Sequence, residues 1–422
     1  MIEAAGRKST GLAVGRSWRE LNRPLAEAVD ELTAGTGGER TVEEVAEELR
    51  TLARLGVGSL RIPAEHGGAG LTQPQFYDAV IDLAAAESNI PHILIQHWSA
   101  VEIQLALGAG GNIDLLRAAA AGTIFGTAIT EAHDNVLGEM RTRVTEAPDG
   151  GFRLNGRKEY TTGSYYADLL TVICADENGT LMRATVPTHA EGVTHVGNWS
   201  GIGQRESASG SIIFEEVEVD ARFVAVLERK LSHPPDHQQL MIVATLAGIA
   251  RAAALQATVL LRARRRIYSI GSGGLPREDP QIQEIVGDVW AQVDAARAVV
   301  LDTAAEMEAW LERAPAENLD DPDVREQAIA ADVAVLRAQA IVSRIALGVT
   351  SQVFDALGGS AIAGEVELDR HWRNARTLAS HNPIAYKLRQ VGDYHLNGTE
   401  PRQVIDTPTF TGVLAEEEIQ VG

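Results

Sequence analysis

Hydrophobic periodicity changes twice along this 422-residue chain, and the two changes restrict the folds open to it. Up to about Ala121, stretches such as "SWRELNRPLAEAVDELTA", "TVEEVAEELRTLARLG" and "QPQFYDAVIDLAAAES" place apolar residues at three- and four-residue intervals, the spacing of one helix face. From Gly122 to about Val226 the texture becomes short β-prone runs, "GTIFGTAIT", "DLLTVICA", "LMRATVP" and "GSIIFEEVEV" among them, punctuated by turn residues. "PDGG" and "LNGRK" carry the Gly and Asn that tight hairpin turns favour. After "LSHPPDHQQ" the helical period returns and runs to about Asn397, in Ala- and Leu-rich stretches long enough for a bundle whose flat faces also suit subunit contacts. The predicted organisation is α+β: an N-terminal helical domain over 1–121, a β domain over 122–228, and a C-terminal helical bundle with an acidic tail over 229–422.

Composition narrows the function classes. Hydrophobic residues make up 45% and charged residues 23%, which is ordinary for a globular chain. A net charge of -21 opposes binding to nucleic acid or an anionic membrane, because both attract basic surfaces. The single cysteine, Cys174, lies in the apolar run "LLTVICA" and reads as a buried, inert thiol, with no disulfide or metal framework available. "MIEAAGRKSTGLAVG" lacks the order of regions of a signal peptide, and no uninterrupted apolar segment reaches the roughly 18 residues of a membrane helix. A cytoplasmic enzyme acting on a small molecule is the expectation.

One local pattern asks for a chemical explanation. In "RTLASHNPIAYK", Pro383 forces its predecessor out of helical geometry, so His381 and Asn382 are expected at a helix end or an exposed break. An imidazole titrates near neutrality and suits proton transfer.

Four stretches, "RIPAEHGGAGL", "GTAITEAHDNVLG", "LNGRKEYTTGSYYADLLTV" and "GIGQRESASGSIIFEEVEV", resemble segments of the acyl-CoA dehydrogenase superfamily in order and spacing. The resemblance implies an N-terminal helical domain, a middle β-barrel and a C-terminal four-helix bundle, with flavin between barrel and bundle in a homotetramer. It implies that Thr127 and Thr130 face the pyrimidine edge of the flavin ring, that Tyr160 lies against the ring with the Thr162 hydroxyl beside it, and that Trp199 is near. Ser207 and Ser209 match a pair close to the cofactor phosphate, and Arg266 matches an arginine reaching a phosphate of the neighbouring subunit's flavin. Taken alone, threonines in a β-run are strand formers, serines in a turn are ordinary, and Arg262, Arg264 and Arg265 suit a solvated basic helix end.

The region "DRHWRNARTLASHNPIAYKLRQVGDYHLNG" selects a branch. Acyl-CoA dehydrogenases often carry a catalytic Glu where this chain has Asn382, and an amide cannot abstract a proton. The region is more similar to the flavin-dependent monooxygenases of the same fold, which act on dibenzothiophene or alkyl sulfones and place a His of a His-Asp-Pro motif over the flavin. His381 is its counterpart, and Asn382 replaces the Asp, which changes how the imidazole is oriented or how strongly it holds a proton. His92 in "IPHILIQHW" matches a second family histidine, with His97 the weaker candidate. The site pocket is expected near His92, Trp98 and "IAGEVE".

The activity this implies uses reduced flavin from a separate flavin reductase, since the chain shows no strand, Gly-rich turn and helix for nicotinamide. A hydroperoxyflavin formed with molecular oxygen would pass one oxygen atom to a sulfur heterocycle, sulfone, amine or activated carbon. FMN is favoured over FAD because "QVFDALGGS" displaces by two residues the glycines of the dehydrogenases' adenine segment, although Gln352, Gly358 and Gly359 remain to line such a pocket. The alternatives are an acyl-CoA dehydrogenase or oxidase with a relocated base, an N-hydroxylase or nitrososynthase, and a flavin-free structural scaffold. No metal is expected.

Overall fold

The computed structural model describes residues 16–401 except 35–37, 39, 107–111, 132–139, 149, 228–235, 273 and 314–320. The N-terminal stretch up to Gly15 and the acidic tail lie outside the described residues. Helices α1 (Trp18–Leu21), α2 (Arg23–Ala34), α3 (Val42–Arg54), α4 (Gln73–Ala86), α5 (Asn89–Ala106) and α6 (Ile113–Ala120) occupy the N-terminal region. Two of them start where sequence says they should: Thr41 and Thr72 each accept a bond from the backbone three residues on, and Glu44 and Gln75 return it. Val45, Leu49 and Leu52 of α3 are buried along one stripe while Glu43 and Glu44 stay in solvent, which is the amphipathic pattern of a helix lying on a core.

Strands β1 (Phe125–Ala128), β2 (Arg143–Glu146), β3 (Phe152–Lys158), β4 (Leu169–Ala175), β5 (Leu181–Pro187), β6 (Val193–His195), β7 (Ile212–Val219) and β8 (Val224–Val226) form one central sheet. Pairing runs β6-β7-β3-β2-β4-β5-β8, with β1 parallel to β4. Ala184 and Val186 of β5 share a core with Phe214 and Val217 of β7, so the sheet wraps one apolar interior. Cys174 is in that interior, where burial pushes its thiol up to about 12, as an inert cysteine requires.

The β2–β3 connection falls at "PDGG", where Asp149 lies outside the described residues and Gly150 has φ 86. "LNGRK" makes no turn: Asn155 and Gly156 lie inside β3, where the register against β7 shifts between Leu154 and Gly156. The signal is the same because a bulge, like a tight turn, needs backbone freedom. Gly156 has φ 148, and a Cβ there would come within 2.6 Å of Thr142.

The C-terminal region is built from α7 (Asp236–Ala263), α8 (Pro280–Arg313), α9 (Pro322–Leu357), α10 (Leu368–Ala379) and α11 (Ile384–Asn397). α7, α8 and α9 pack mutually, and α4 lies against α7 and α8, so one apolar core joins N- and C-terminal helices. Two helices, over His237–Ala263 and Pro322–Ile362, are long and apolar enough to cross a membrane, but 83% and 67% of their apolar windows are buried inside this molecule. Their hydropathy therefore reflects core packing. Arg264 is not simply solvated: it donates to the Leu357 carbonyl at the end of α9, capping orphan acceptors.

A buried ion cluster fastens the three regions. Arg40 pairs with Glu48 and Glu206 and lies 3.3 Å from Glu87, which Arg370 of α10 meets at 2.6 Å. Desolvating such charges offsets much of their attraction, yet removing one partner typically costs about 3 to 5 kcal/mol. The cluster thus fixes how α10 sits against the sheet and the α4–α5 junction.

Candidate active site

Pro383 ends one helix and opens the next. α10 stops at Ala379, Ser380 caps it, and His381 and Asn382 span the break before α11, as the Asn-Pro pair predicts. His381 meets solvent yet has protein on most sides, and that desolvation lowers its pKa, with the Lys387 charge adding to the effect. Asn382 Nδ2 donates to Gln239 Oε1 at 2.7 Å and to His381 Nδ1 at 3.1 Å. An amide nitrogen only donates, so His381 Nδ1 is an acceptor and the neutral ring carries its proton on Nε2.

His92 stands on α5, buried and close enough for the two imidazoles to feel each other. Its pKa falls to about 3, first through burial and then through His381, while the Gln204 side chain pulls it upward. It is neutral at ordinary pH. His97, one turn and a half along, is structural: Nε2 bonds the Gly58 carbonyl at 3.0 Å, Nδ1 accepts from Phe125 N at 3.2 Å, and the ring stacks on Phe125. Trp98 likewise belongs to the core, its indole donating to Val57 O at 2.9 Å and meeting Phe76 edge-on, so it is not a pocket wall.

A chain of hydroxyls runs through the loops between strands. Thr162 Oγ1 is 2.8 Å from Ser209 Oγ, which is 2.7 Å from Ser207 Oγ, which donates to the Gln204 carbonyl at 2.6 Å. The same carbonyl accepts the Trp199 indole at 2.9 Å. The structure therefore brings Thr162, Trp199, Ser207 and Ser209 into one group. Thr130 joins through its carbonyl, which accepts Glu159 N at 2.8 Å next to Tyr160. Thr127 sits half-buried in β1, in register with Thr171, and Arg266 is exposed beyond the end of α7. Neither is linked to the group by a side-chain bond among the described residues.

Backbone strain collects here. Tyr160, Gln204 and Ala208 adopt φ of 54, 51 and 48 without being glycine. Each such residue costs on the order of 1 kcal/mol or more and persists only where its surroundings over-determine it, a pattern common at functional sites. Tyr160 is also 58% exposed, so its ring offers a face that the protein leaves uncovered.

Five further contributors, Gln204, Asn374, Ser88, Lys158 and Glu131, are not singled out by the sequence. Gln204 N donates to Asn374 Oδ1 at 2.7 Å, Asn374 Nδ2 donates to Ser88 Oγ at 3.0 Å, and Gln204 Nε2 donates to the same Ser88 Oγ at 3.1 Å. This triangle ties α10, the 199–210 loop and the start of α5, the three segments that carry His381, the hydroxyl group and His92. Lys158, fully buried, bonds Glu131 Oε1 at 2.7 Å and Ile129 O at 3.0 Å, and it holds the Glu131 carboxyl down to about 2 together with Thr142 and the Arg141 amide. Asn374, Gln204, Lys158 and Glu131 lie within stretches quoted for the family resemblance, yet nothing in those stretches marks their side chains, and Ser88 lies in none of them.

A cavity of about 460 Å³ lies apart from this group, between α3 and the Tyr165–Asp168 segment, and is lined by Arg50, Arg54, Tyr166 and His189 among others. It shares no residue with the histidines or the hydroxyl chain. The chemistry-bearing side chains, not this cavity, locate the site.

Residues 126–217 match the model of the acyl-CoA dehydrogenase middle domain, and residues 240–386 match that of the acyl-CoA dehydrogenase C-terminal domain. The chain belongs to the acyl-CoA dehydrogenase family. Within that family it is 29% identical over 408 residues to dibenzothiophene monooxygenase of Rhodococcus erythropolis, covering 92% of this chain and 94% of the relative. A probable FMNH2-dependent monooxygenase of Pseudomonas putida is 27% identical, over 84% of this chain and 89% of that one. Among solved structures, the FMN-bound dibenzothiophene monooxygenase of Paenibacillus sp. A11-2 superposes with a TM-score of 0.75 at 27% identity, covering 93% of this chain and 98% of that one. Methanesulfinate monooxygenase of Pseudomonas fluorescens gives the same TM-score, 0.75, and the same identity, 27%, again over 93% and 98% of the two chains. This acyl-CoA dehydrogenase family member thus resembles oxygen-inserting relatives along nearly its whole length.

The residues present suit a flavin. Tyr160 supplies an uncovered aromatic face, Thr162, Ser207 and Ser209 supply hydroxyls for a polar edge or a phosphate, and the His92 and His381 imidazoles supply neutral nitrogens beside it. Gln352, the sequence's candidate for an adenine pocket, is engaged within the bundle, donating to Asp288 at 2.7 Å and accepting from Gln292 at 2.9 Å.

Proposed function

We propose that this chain is the oxygenase component of a two-component, reduced-FMN-dependent monooxygenase acting on a small organic molecule of the sulfur-heterocycle or sulfone type. The observation that carries the reading is His381, an imidazole held neutral at a helix break with its proton on the outward nitrogen, beside a second buried neutral imidazole. Full-length similarity to monooxygenases supports it. The position that a proton-abstracting dehydrogenase would give to a carboxylate holds Asn382, which only donates to its neighbours here.

Reduced FMN, when bound, would supply the two electrons that activate dioxygen, from which the transferred oxygen atom comes. The chain's own work is positioning, exclusion of water and proton supply. Tyr160 and Trp199 would hold the ring, and Thr162, Ser207 and Ser209 would offer hydrogen bonds to its polar groups. His381 holds a proton at Nε2 for the departing oxygen, and Asn382 keeps that proton there by occupying Nδ1. Arg266, exposed past α7, reaches a flavin phosphate of a neighbouring subunit in a homotetramer, where a planar guanidinium suits the phosphate oxygens. A separate reductase supplies FMNH2, in the cytoplasm.

The test is His381→Ala. The variant should fold and bind flavin but release hydrogen peroxide in place of product, with oxygen transfer lowered about a hundredfold to ten-thousandfold. An unchanged product-to-peroxide ratio in a destabilised protein would return His381 to a structural role.

A further inference from the structure

Two buried polar atoms in the site lack a partner among the described residues, and they are complementary: His92 Nδ1 and Gln204 Oε1. Gln204 is fully buried and held from three sides, through its backbone N–H by Asn374, through its carbonyl by Trp199 and Ser207, and through Nε2 by Ser88. Ser88 immediately precedes α5 and His92 stands in its first turn, so both belong to the entry of that helix. The amide that bonds Ser88 with its nitrogen leaves its oxygen available, and the Gln204 side chain raises the proton affinity of the His92 ring, as a nearby acceptor does. The 205–207 turn also packs directly on α5. Asn374 cannot be reversed, because its oxygen is needed by the Gln204 N–H; its nitrogen then faces Ser88.

We propose that Gln204 is a positioning residue that accepts a hydrogen bond from His92 Nδ1–H and so fixes His92 in the tautomer whose Nε2 is a bare acceptor. The two imidazoles then play opposite parts: His381 presents a protonated Nε2 and His92 an unprotonated one. The left-handed backbone at Gln204 is part of the device, since it aims the carbonyl at Trp199 and the amide at α5 from one residue. This rests on the oxygenase reading only for its purpose; the tautomer itself belongs to the resting protein.

The test uses the full-length protein labelled with nitrogen-15 in histidine, without flavin, with the His92 signals assigned by their loss in His92→Gln. A protonated and a lone-pair imidazole nitrogen resonate far apart, so the wild-type spectrum gives the tautomer directly. The expected result is a single species with Nδ1 protonated and Nε2 bare, replaced in Gln204→Met by a mixture of tautomers. A wild-type His92 protonated on Nε2, or a Gln204→Met spectrum identical to wild type, overturns the proposal. The wild-type measurement decides even if the variant does not fold. Absence of oxygenation by a protein with the expected tautomer would count against the proposed function alone.

Discussion

Asn374→Ala tests whether the triangle of Gln204, Ser88 and Asn374 holds the site together. The side chain is 5% exposed and its Oδ1 accepts from the amide of a fully buried residue. Truncation leaves the Gln204 N–H without an acceptor in a place water does not reach, and a buried donor left unsatisfied costs about 1 to 3 kcal/mol. At roughly 1.4 kcal/mol per factor of ten, that raises the local opening equilibrium about 5- to 150-fold. Hydrogen exchange by mass spectrometry on peptides covering 199–210 reads that amide directly and does not require the whole chain to unfold in one step. Exchange should accelerate within that range in Asn374→Ala and stay near wild type in Asn374→Asp, which keeps an oxygen for the amide. Unchanged protection in Asn374→Ala would refute the reasoning.

Two further outcomes follow from particular groups. Arg266→Ala should weaken reduced-FMN binding by about 1.5 to 3 kcal/mol in an equilibrium titration, the usual loss for a charged hydrogen bond; unchanged affinity would make Arg266 a solvated residue. His92, His97 and His371 have pKa values lowered to about 3, about 4 and about 4, in each case chiefly by burial. The unfolded chain, with histidines near 6.5, then binds more protons than the native one as pH falls, so stability is fully present above about 6.5 and is lost progressively toward 4. Denaturation midpoints should drop between pH 7 and 5, before ordinary carboxylates titrate, with a shallower slope in His97→Gln; a flat profile would contradict the buried, neutral assignment.

The helical, sheet, helical order was legible because periods of 3.6 and 2 leave different marks on a sequence, and long amphipathic runs are hard to mistake. The Asn-Gly pair of β3 misled because turn and bulge make the same demand on the backbone. His381 and Asn382 were readable from the proline beside them, whereas the tautomer of His381 depended on Asn382 being oriented by Gln239, 143 residues before it in sequence. The Arg40, Glu87, Glu206 and Arg370 cluster had no local sign at all, since a charge on a helix looks the same in sequence whether it faces water or an ion partner 283 residues distant. Trp98 and His97 illustrate the reverse: polar-tipped aromatics near a site that the fold turns into its core.

In the proposed reaction the oxygen atom placed in the product comes from dioxygen by way of flavin reduced elsewhere. Purified protein should therefore be incubated with FMN, NADH, a flavin reductase, isotopically labelled dioxygen and a panel of thiophenes, sulfones and amines, with products read by mass spectrometry. The expected product carries one labelled oxygen atom and forms only when the reductase is present. Product bearing unlabelled oxygen, or reduction of an electron acceptor by the isolated chain with an acyl-CoA as donor, would contradict that reaction.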